Sequence, residues 1–406
     1  MTPQSRDMIA RLVGYDTVSR HSNLELIHYV RDYLAGHGIT SQLIHNDDGT
    51  KANLLATVGP QVEGGVVLSG HTDVVPVDGQ PWSTDPFQLT EKDGRLYGRG
   101  TCDMKAFSAV GLAMVPTLLE KGLKRPVHFA LSYDEEIGCL GAPSLIEQLI
   151  STVARPEAVI VGEPTSMQPV VAHKGIAVLR TTVRGHEAHS SQMHRGVSAV
   201  MVASRLVTFI NDMMDENLRG AEPGNPFEPP CTTLHVGTIK GGTAVNIISR
   251  DCEFIWDIRC LPGDNWQQYA DRLQAFADSL LPEMQAIAPE AGIHTELIAS
   301  APPLHDLGGP AQSLVYDLLD HRSASVVPYV AEAGQFQEQG LSVVLCGPGS
   351  IDQAHQPDEY IDIDQVTACE AFIDRLVTGW PNECSAYAGG LASSSPVLGS
   401  RGRSAG

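Results

Sequence analysis

The feature that most constrains the fold is a series of short apolar runs that alternate with helical segments from residue 52 onward. The runs consist mainly of Val, Ile, Leu and Ala, and the segments between them have the periodicity of helices. Strands joined through helices are typical of a mostly parallel sheet. We therefore predict an α/β fold with strands at 53–58, 65–70, 127–132, 158–161 and 341–345, and helices at 24–36, 103–120 and 141–150.

The middle of the chain has a different pattern. It contains, in order, a strand at 174–183, a helix at 197–213, two strands, a helix that starts at the N-cap Asp264 and runs to 281, and an edge strand at 293–298. This βαββαβ order predicts an inserted α+β domain of the ferredoxin-like type. The predicted domain boundaries are 1–176 and 301–386 for the two parts of the larger domain, 177–300 for the insertion, and 387–406 for a flexible tail rich in Gly and Ser.

The charge balance and the cysteines limit the partners and the compartment. The 48 acidic and 27 basic residues leave a formal net charge of −21, which repels phosphate backbones, so we expect no nucleic-acid binding. No apolar run approaches the roughly 20 residues that span a bilayer, and the first residues lack a signal-peptide pattern, so we expect neither membrane insertion nor secretion. The eight cysteines form no CxxC pair, which favours reduced thiols in the cytoplasm.

Acidic residues and histidines follow the predicted strands at the points where they end. In an open α/β sheet, ligands bind beyond the carboxyl ends of the strands, so these side chains should converge on one crevice. Outside the strands, Asp103 stands at the start of a predicted helix, after the turn 97–100. The residues that we expect to meet are His71, Asp73, Asp103, Glu135, Glu136, Glu163 and His355.

The number and type of these groups suit two divalent metal ions. Imidazole and carboxylate ligands favour zinc, cobalt or manganese over copper. If one carboxylate bridges, each ion has one histidine, one terminal carboxylate and a share of the bridge, which uses five of the seven residues. Asp73 and Glu135 then remain. Asp73 is placed to accept a hydrogen bond from the far ring nitrogen of His71, and Glu135 to take a proton from a water activated by the metals.

Each of these residues also has an ordinary structural interpretation. Glu135 and Glu136 alone would fit a solvated turn, and Asp103 would fit a helix N-cap. Their common position on one sheet favours the metal site. His186 and His189 are three residues apart, whereas the histidines of an HExxH helix are four residues apart, so we predict no separate metal site there. Cys102 is interpreted as a small packed residue because no neighbouring base is evident, and Ser190 and Ser191 lack a nucleophile-elbow context.

Five segments in this order resemble the ArgE/DapE/carboxypeptidase G family of dinuclear zinc amidohydrolases. They are SGHTDVVP at 69–76, YGRGTCDMK at 97–105, SYDEEIG at 132–138, GEPT at 162–165 and HQPDE at 355–359. The resemblance covers nearly the whole chain apart from the tail. It implies a zinc-peptidase-like catalytic domain with an inserted lid and dimerisation domain, and therefore a homodimer.

The resemblance also implies a role for each site residue. His71 and Glu163 would bind one metal, Glu136 and His355 the other, and Asp103 would bridge, with zinc as the expected metal and cobalt as a substitute. Glu135 would be the general base and acid, and Asp73 would support His71. His189 would reach the active site of the partner subunit to stabilise the oxyanion. The substrate would be bound by Asn246, Arg259 and Gly347.

Within this family, three segments are most similar to the acetylornithine deacetylase branch: 100–105, 332–336 and 347–355. That similarity implies hydrolysis of N2-acetyl-L-ornithine to L-ornithine and acetate, a step of arginine biosynthesis. The alternatives are another N-acyl amino acid amidohydrolase, such as a succinyl-diaminopimelate desuccinylase or a carboxypeptidase-like enzyme, and a non-catalytic metal-binding regulatory protein on the same scaffold.

Overall fold

The structure is a computed structural model that describes residues 1–378. Its helices are α1 (Pro3–Val13), α2 (Leu24–Gly36), α3 (Lys105–Ala113), α4 (Val115–Lys121), α5 (Ala142–Thr152), α6 (Ala199–Arg219), α7 (Trp266–Ile287), α8 (Pro310–Leu319), α9 (Ala333–Glu338) and α10 (Ile363–Thr378). Its strands are β1 (Ser41–His45), β2 (Ala52–Val58), β3 (Val66–His71), β4 (Thr90–Lys92), β5 (Arg95–Tyr97), β6 (Val127–Ser132), β7 (Ala158–Pro164), β8 (Val170–His173), β9 (Gly175–Arg184), β10 (Thr233–Gly241), β11 (Asp251–Cys260), β12 (Gly292–Ala301), β13 (Ser325–Val327), β14 (Val343–Gly347) and β15 (Tyr360–Asp362).

The main sheet has eight strands in the order β1-β2-β6-β3-β7-β14-β8-β13. Its centre, from β6 through β3 and β7 to β14, is parallel, whereas β1, β2 and the β8–β14 contact are antiparallel. Helices cover both faces of this sheet. Val66 and Leu68 therefore pack into the core on one side, and Val67 into the core on the other. Burial on both faces explains why these strands are continuous apolar runs.

The second sheet is antiparallel and has the order β10-β11-β9-β12. With α6 and α7 it forms the predicted βαββαβ unit, and β12 lies at an edge as expected. The face of β11 against the helices is buried, as the alternation predicts, through Cys252, Phe254, Trp256 and Ile258. The fold class is thus confirmed. The boundaries 176/177 and 300/301 stay a prediction, and the predicted tail 387–406 lies outside the described residues.

Several helices differ from the sequence prediction. The predicted helix 103–120 is two helices, because α3 ends before Met114 and α4 begins after it. Pro116, in the first turn of α4, has no N–H to continue the hydrogen bonds of α3. The cap of α7 is Asn265 instead of Asp264, since the Asn265 side chain accepts a hydrogen bond of 3.0 Å from the N–H of Gln267. Helix α1 was not predicted at all.

Within residues 1–378, no helix combines the length and the apolar character needed to cross a bilayer.

A buried histidine in β6 makes the stability of the fold depend on pH. His128 is 1% exposed and its Nδ1 lies 2.9 Å from the hydroxyl of Thr57. Burial lowers the pKa of His128 to about 4, whereas an unfolded histidine titrates near 6.5. Between these values the unfolded chain binds a proton that the folded chain does not. The stability contributed by the neutral ring is therefore lost as the pH falls from about 6.5 towards 4.

We expect this histidine to cost about 2 kcal/mol of unfolding free energy at pH 5 relative to pH 8. Urea unfolding of the parent and of His128→Gln at both pH values measures it, because the variant should lose correspondingly less stability on acidification. His45→Gln, which changes an exposed histidine, is the control and should behave like the parent. Equal pH dependence in the parent and His128→Gln would contradict the prediction.

Candidate metal centre

The predicted site residues meet at the carboxyl edge of the parallel strands. His71 is the last residue of β3, Glu163 lies near the end of β7, and the turn with Glu135 and Glu136 follows β6. Asp103 precedes α3, which packs closely on β3. A Cβ on Gly70 would come within 2.8 Å of the side-chain ends of Ser108 and Met104, so the glycine lets both side chains pack closely on the strand. Because β3, β6 and β7 run in the same direction, their ends bring His71, Glu163 and the turn with Glu135 and Glu136 to one place.

Asp103 lies between the two histidines and faces each with a different oxygen. Its Oδ1 is 3.0 Å from Nε2 of His71, and its Oδ2 is 3.3 Å from Nε2 of His355. Nε2 of His355 is also 3.1 Å from Oε2 of Glu136, and Nε2 of His71 is 3.9 Å from Oε1 of Glu163. The structure thus brings the five predicted ligands together, with Asp103 at the centre.

Two groups of side chains have ligand atoms that lie within 4.8 Å of one another: His71 with Glu135 and Glu163, and His71 with Asp103 and Glu136. In both groups the ligand atoms come from His, Asp and Glu, which are donors that suit a divalent cation.

The glutamates of this cluster are held close together in a buried place, where their negative charges are unfavourable. Burial, with the charges of Glu136 and Asp103, raises the pKa of Glu135 to about 8. Burial also raises the pKa of Glu136 and of Glu163. One oxygen of Glu136 and one of Glu163 have no hydrogen-bond partner. Unpartnered carboxylate oxygens in a buried acidic cluster are what a pair of cations would satisfy, so the residues fit a dinuclear metal centre.

The pKa values of the two histidines are also raised, which favours the positively charged form of their rings. Hydrogen bonds to Asp103 and Glu136 raise the pKa of His355 to about 10. Burial alone would lower the pKa of His71, but the contact with Asp103 and the charge of Glu135 raise it. For Asp103, burial is outweighed by the contacts with both histidines, which hold its pKa below the usual range. A metal ion would supply the positive charge that the histidine protons supply to these carboxylates. Metal binding should therefore displace those protons.

Asp73 is close to His71, but it acts through a different atom from the one predicted. Nδ1 of His71 lies 2.9 Å from the backbone carbonyl oxygen of Asp73 and 3.6 Å from its carboxylate. The carboxylate instead accepts hydrogen bonds from Ser19 Oγ at 2.7 Å and from the N–H groups of Glu135 and Glu136 at 3.1 and 3.3 Å. The carbonyl therefore orients the ring, and the side chain holds the turn that carries the two glutamates.

His189 and Asn246 lie together on two exposed connections beside the second sheet, His189 after β9 and Asn246 between β10 and β11. The N–H of Ser190 donates to the carbonyl of Asn246 at 3.0 Å, and both predicted residues are exposed. Nδ1 of His189 lies 2.8 Å from the hydroxyl of Ser191. Neither candidate ligand group within residues 1–378 includes His189. The structure of one chain therefore does not bring these two residues into the cluster, and their roles stay predictions.

Arg259 and Gly347 both have local contacts that explain them without a substrate. Arg259 lies on the polar face of β11 and its Nε is 3.2 Å from Oδ1 of Asp257, which is an ion pair on the strand surface. A Cβ on Gly347 would come within 2.1 Å of the carbonyl of Gly162, so the β7–β14 contact requires a glycine. The N–H of Gly347 donates to the hydroxyl of Thr165 at 3.1 Å. Substrate binding by Arg259 and Gly347 stays a prediction.

His186 and Cys102 both have ordinary local contacts in the structure. His186 is exposed and its Nδ1 is 2.7 Å from Glu290. No candidate metal group among residues 1–378 contains His186, His189 or His194. The interpretation of Cys102 as a packed residue is confirmed, because the thiol is buried, lies 3.2 Å from the carbonyl of Ser350 and has a pKa raised by burial.

Sequence reasoning missed three charged residues that support the cluster. Glu332 accepts hydrogen bonds from the hydroxyls of Ser69 at 2.7 Å and Ser132 at 2.8 Å, next to the ends of β3 and β6. Glu359 and Arg99 form a buried ion pair of 2.6 Å behind Asp103. A signal was available: all three are charged residues inside the segments that resemble the family, yet none has a role as a metal ligand.

Comparison with known proteins identifies a family and relatives of this chain. Residues 67–379 match the family model described as Peptidase family M20/M25/M40. An acetylornithine deacetylase from Pasteurella multocida is 34% identical over 383 residues, which cover 92% of this chain and 97% of that protein. An acetylornithine deacetylase from Myxococcus xanthus is also 34% identical, over 390 residues, with the same two coverages.

A solved structure shows the same fold. The M20 family metallo-carboxypeptidase Sso-CP2 from Sulfolobus solfataricus superposes with a TM-score of 0.70 at 17% identity, over 93% of this chain and 99% of that one. Together with the family match and the relatives, this likeness confirms the resemblance seen in the motifs. The chain belongs to Peptidase family M20/M25/M40 and is a metal-dependent hydrolase.

Proposed function

We propose that this chain hydrolyses the amide bond of N2-acetyl-L-ornithine, giving L-ornithine and acetate for arginine biosynthesis. Two relatives named acetylornithine deacetylase, each 34% identical over nearly their whole length, support the substrate. The observation that carries the reaction type is the position of Asp103, which faces His71 and His355 with different oxygens while Glu135 stays available beside the pair.

The cluster would hold two divalent ions, for which we propose zinc, with cobalt as a substitute. His71 and Glu163 would hold one ion, Glu136 and His355 the other, and Asp103 would contact both. When bound, such ions supply a Lewis acid that polarises the amide carbonyl and lowers the pKa of water. The backbone carbonyl of Asp73 keeps the ring of His71 in the required tautomer.

Glu135 is the proton carrier of the proposed reaction. It accepts a proton from the attacking water as the new C–O bond forms, and it returns that proton to the amide nitrogen as the C–N bond breaks. Two hydrogen bonds fix its position: its N–H donates to the carboxylate of Asp73 at 3.1 Å, and its Oε1 accepts from the thiol of Cys139 at 3.3 Å. A buried carboxyl group with a raised pKa is suited to both halves of this transfer.

The rest of the proposal concerns the substrate and the assembly. Asn246 and Arg259 would bind the substrate carboxylate, for which the guanidinium fork of arginine is suited, and Gly347 would also contact the substrate. His189 of the partner subunit would stabilise the oxyanion, so the working unit is a homodimer. We place the protein in the cytoplasm, which is supported by the seven free and buried cysteines among residues 1–378.

A panel of N-acyl substrates tests the proposed substrate. We expect the zinc- or cobalt-loaded protein to hydrolyse N2-acetyl-L-ornithine with a kcat/KM roughly 10–200-fold above those for N-succinyl-diaminopimelate and an N-acylglutamate. Removal of the metal by a chelator should abolish the reaction, and added zinc should restore it. A preference for the succinyl or glutamate substrate would assign the chain to another amidohydrolase of the family. Hydrolysis of none of them by the loaded protein would favour a metal-binding regulatory protein.

A further inference from the structure

The two histidines of the cluster are supported in different ways. His71 is the last residue of a central strand and is 1% exposed. His355 lies on an irregular loop after β14, has a positive φ of 62°, and its side chain is 51% exposed. The sheet therefore fixes the first histidine, whereas the second depends on whatever holds its loop against Asp103.

Glu359 makes that connection to Asp103. Its carboxylate is buried, with 1% exposure of the residue. Oε1 accepts hydrogen bonds from the N–H of Cys102 at 2.8 Å and the N–H of Asp103 at 3.1 Å. One carboxylate oxygen four residues after His355 thus fixes the backbone of the residue that lies between the two histidines.

Arg99 links Glu359 to the loop that carries His355. Its Nη1 is 2.6 Å from Oε2 of Glu359, and both side chains are at most 1% exposed. Its Nη2 donates to Oε1 of Gln80 at 2.5 Å, and Nε2 of Gln80 donates to the carbonyl of His355 at 3.0 Å. The indole of Trp82 lies 5.1 Å from the guanidinium carbon. The ion pair is therefore bonded to the backbone of Asp103 at one end and to the backbone of His355 at the other.

We propose that Glu359 and Arg99, with Gln80, are positioning residues that set the ion site of Glu136 and His355 relative to Asp103. The inference rests on the dinuclear centre of the proposed function. It predicts an asymmetry between the two ions. The site of His71 and Glu163 takes both of these ligands from strands and depends on the network only through Asp103, whereas the site of His355 also depends on it for the position of the histidine.

Glu359→Gln is the informative change, because its amide oxygen can still accept from the N–H groups of Cys102 and Asp103. The side-chain nitrogen then faces Arg99, whose buried charge loses its partner. Residues that orient metal ligands typically change metal affinity by about 10–100-fold, and we expect a loss of that size in the second ion alone. Gln80→Ala, a milder change at a half-buried residue, should weaken the same ion by a smaller factor.

The test is a zinc titration of metal-free parent and variants against a competing chelator, with the Co²⁺ absorption spectrum as a second readout. Asp362→Asn is the control, since it removes a surface ion pair of 3.0 Å with Arg95 only three residues further along the chain. We expect two ions for the parent and the control, and an unchanged first but weakened second dissociation constant for Glu359→Gln and Gln80→Ala.

If Gln80→Ala and Glu359→Gln both bind two ions as tightly as the parent does, the inference is overturned, although the dinuclear centre is not. Equal weakening of both ions would overturn the proposed asymmetry. If Glu359→Gln does not fold, Gln80→Ala decides alone. A parent that binds only one ion would overturn the proposed centre itself and this inference with it.

Discussion

The Glu135→Ala variant should keep both metal ions and lose its turnover. Glu135 lies in the cluster, but the five ligands of the proposed centre do not include it, so its removal takes away the proton carrier and leaves the donor set complete. General acid–base groups contribute about 10²–10⁴-fold, and we expect kcat for N2-acetyl-L-ornithine to fall by a factor in that range. Steady-state rates together with the metal content of the purified variant measure both parts of the prediction.

The control for this prediction is another buried carboxylate. Glu370 is 8% exposed and accepts a hydrogen bond of 2.7 Å from the N–H of Thr2. Glu370→Gln should therefore leave kcat unchanged. Normal turnover of Glu135→Ala would refute the role of Glu135 as base. Loss of metal together with turnover would instead make Glu135 a ligand, which its presence in a candidate ligand group with His71 and Glu163 allows.

The parallel core of the fold could be predicted because burial on both faces produces continuous apolar runs, such as the one that contains Val66 and Leu68. The direction of a strand could not be predicted in the same way. Strand β2 is antiparallel to β6, and nothing in the apolar run 53–58 specifies its direction, which depends on the path of the whole chain. Helix α1 has a readable start at Thr2, whose hydroxyl accepts from the N–H of Ser5, followed by a proline. These two signals are enough to predict where the helix begins.

The convergence of the site residues could be predicted for a related reason. The rule that ligands bind at the carboxyl ends of parallel strands needs only the order of strands and polar residues, and it places His71, Glu163 and the turn after β6 together. It does not specify atoms. Whether the carbonyl or the carboxylate of Asp73 faces His71 depends on a local turn. The pairing of Arg99 with Glu359, 260 positions apart, depends on how two loops pack, which no local pattern encodes.

His189 should act on the active site of the other chain in a dimer. It lies with Asn246 on exposed connections beside the second sheet, and the candidate ligand groups of its own chain within residues 1–378 do not include it. Its Nδ1 accepts a hydrogen bond of 3.2 Å from the backbone N–H of Ser191, which places the ring proton on Nε2, where it can be donated to an oxyanion. Removal of one preorganised donor to an oxyanion costs about 10²–10³ in kcat, and we expect a loss of that size for His189→Ala.

Mixed dimers test whether His189 acts across the interface. The Glu135→Ala and His189→Ala chains should both be nearly inactive alone, but a heterodimer would contain one site with Glu135 from one chain and His189 from the other. Random pairing of equal amounts makes half of the dimers mixed, each with one intact site, so about a quarter of the parent activity should return. If both residues acted within one chain, no site in a mixed dimer would be complete. Purified heterodimers with two different affinity tags distinguish the two cases, because parental sites appear only if the active site is shared.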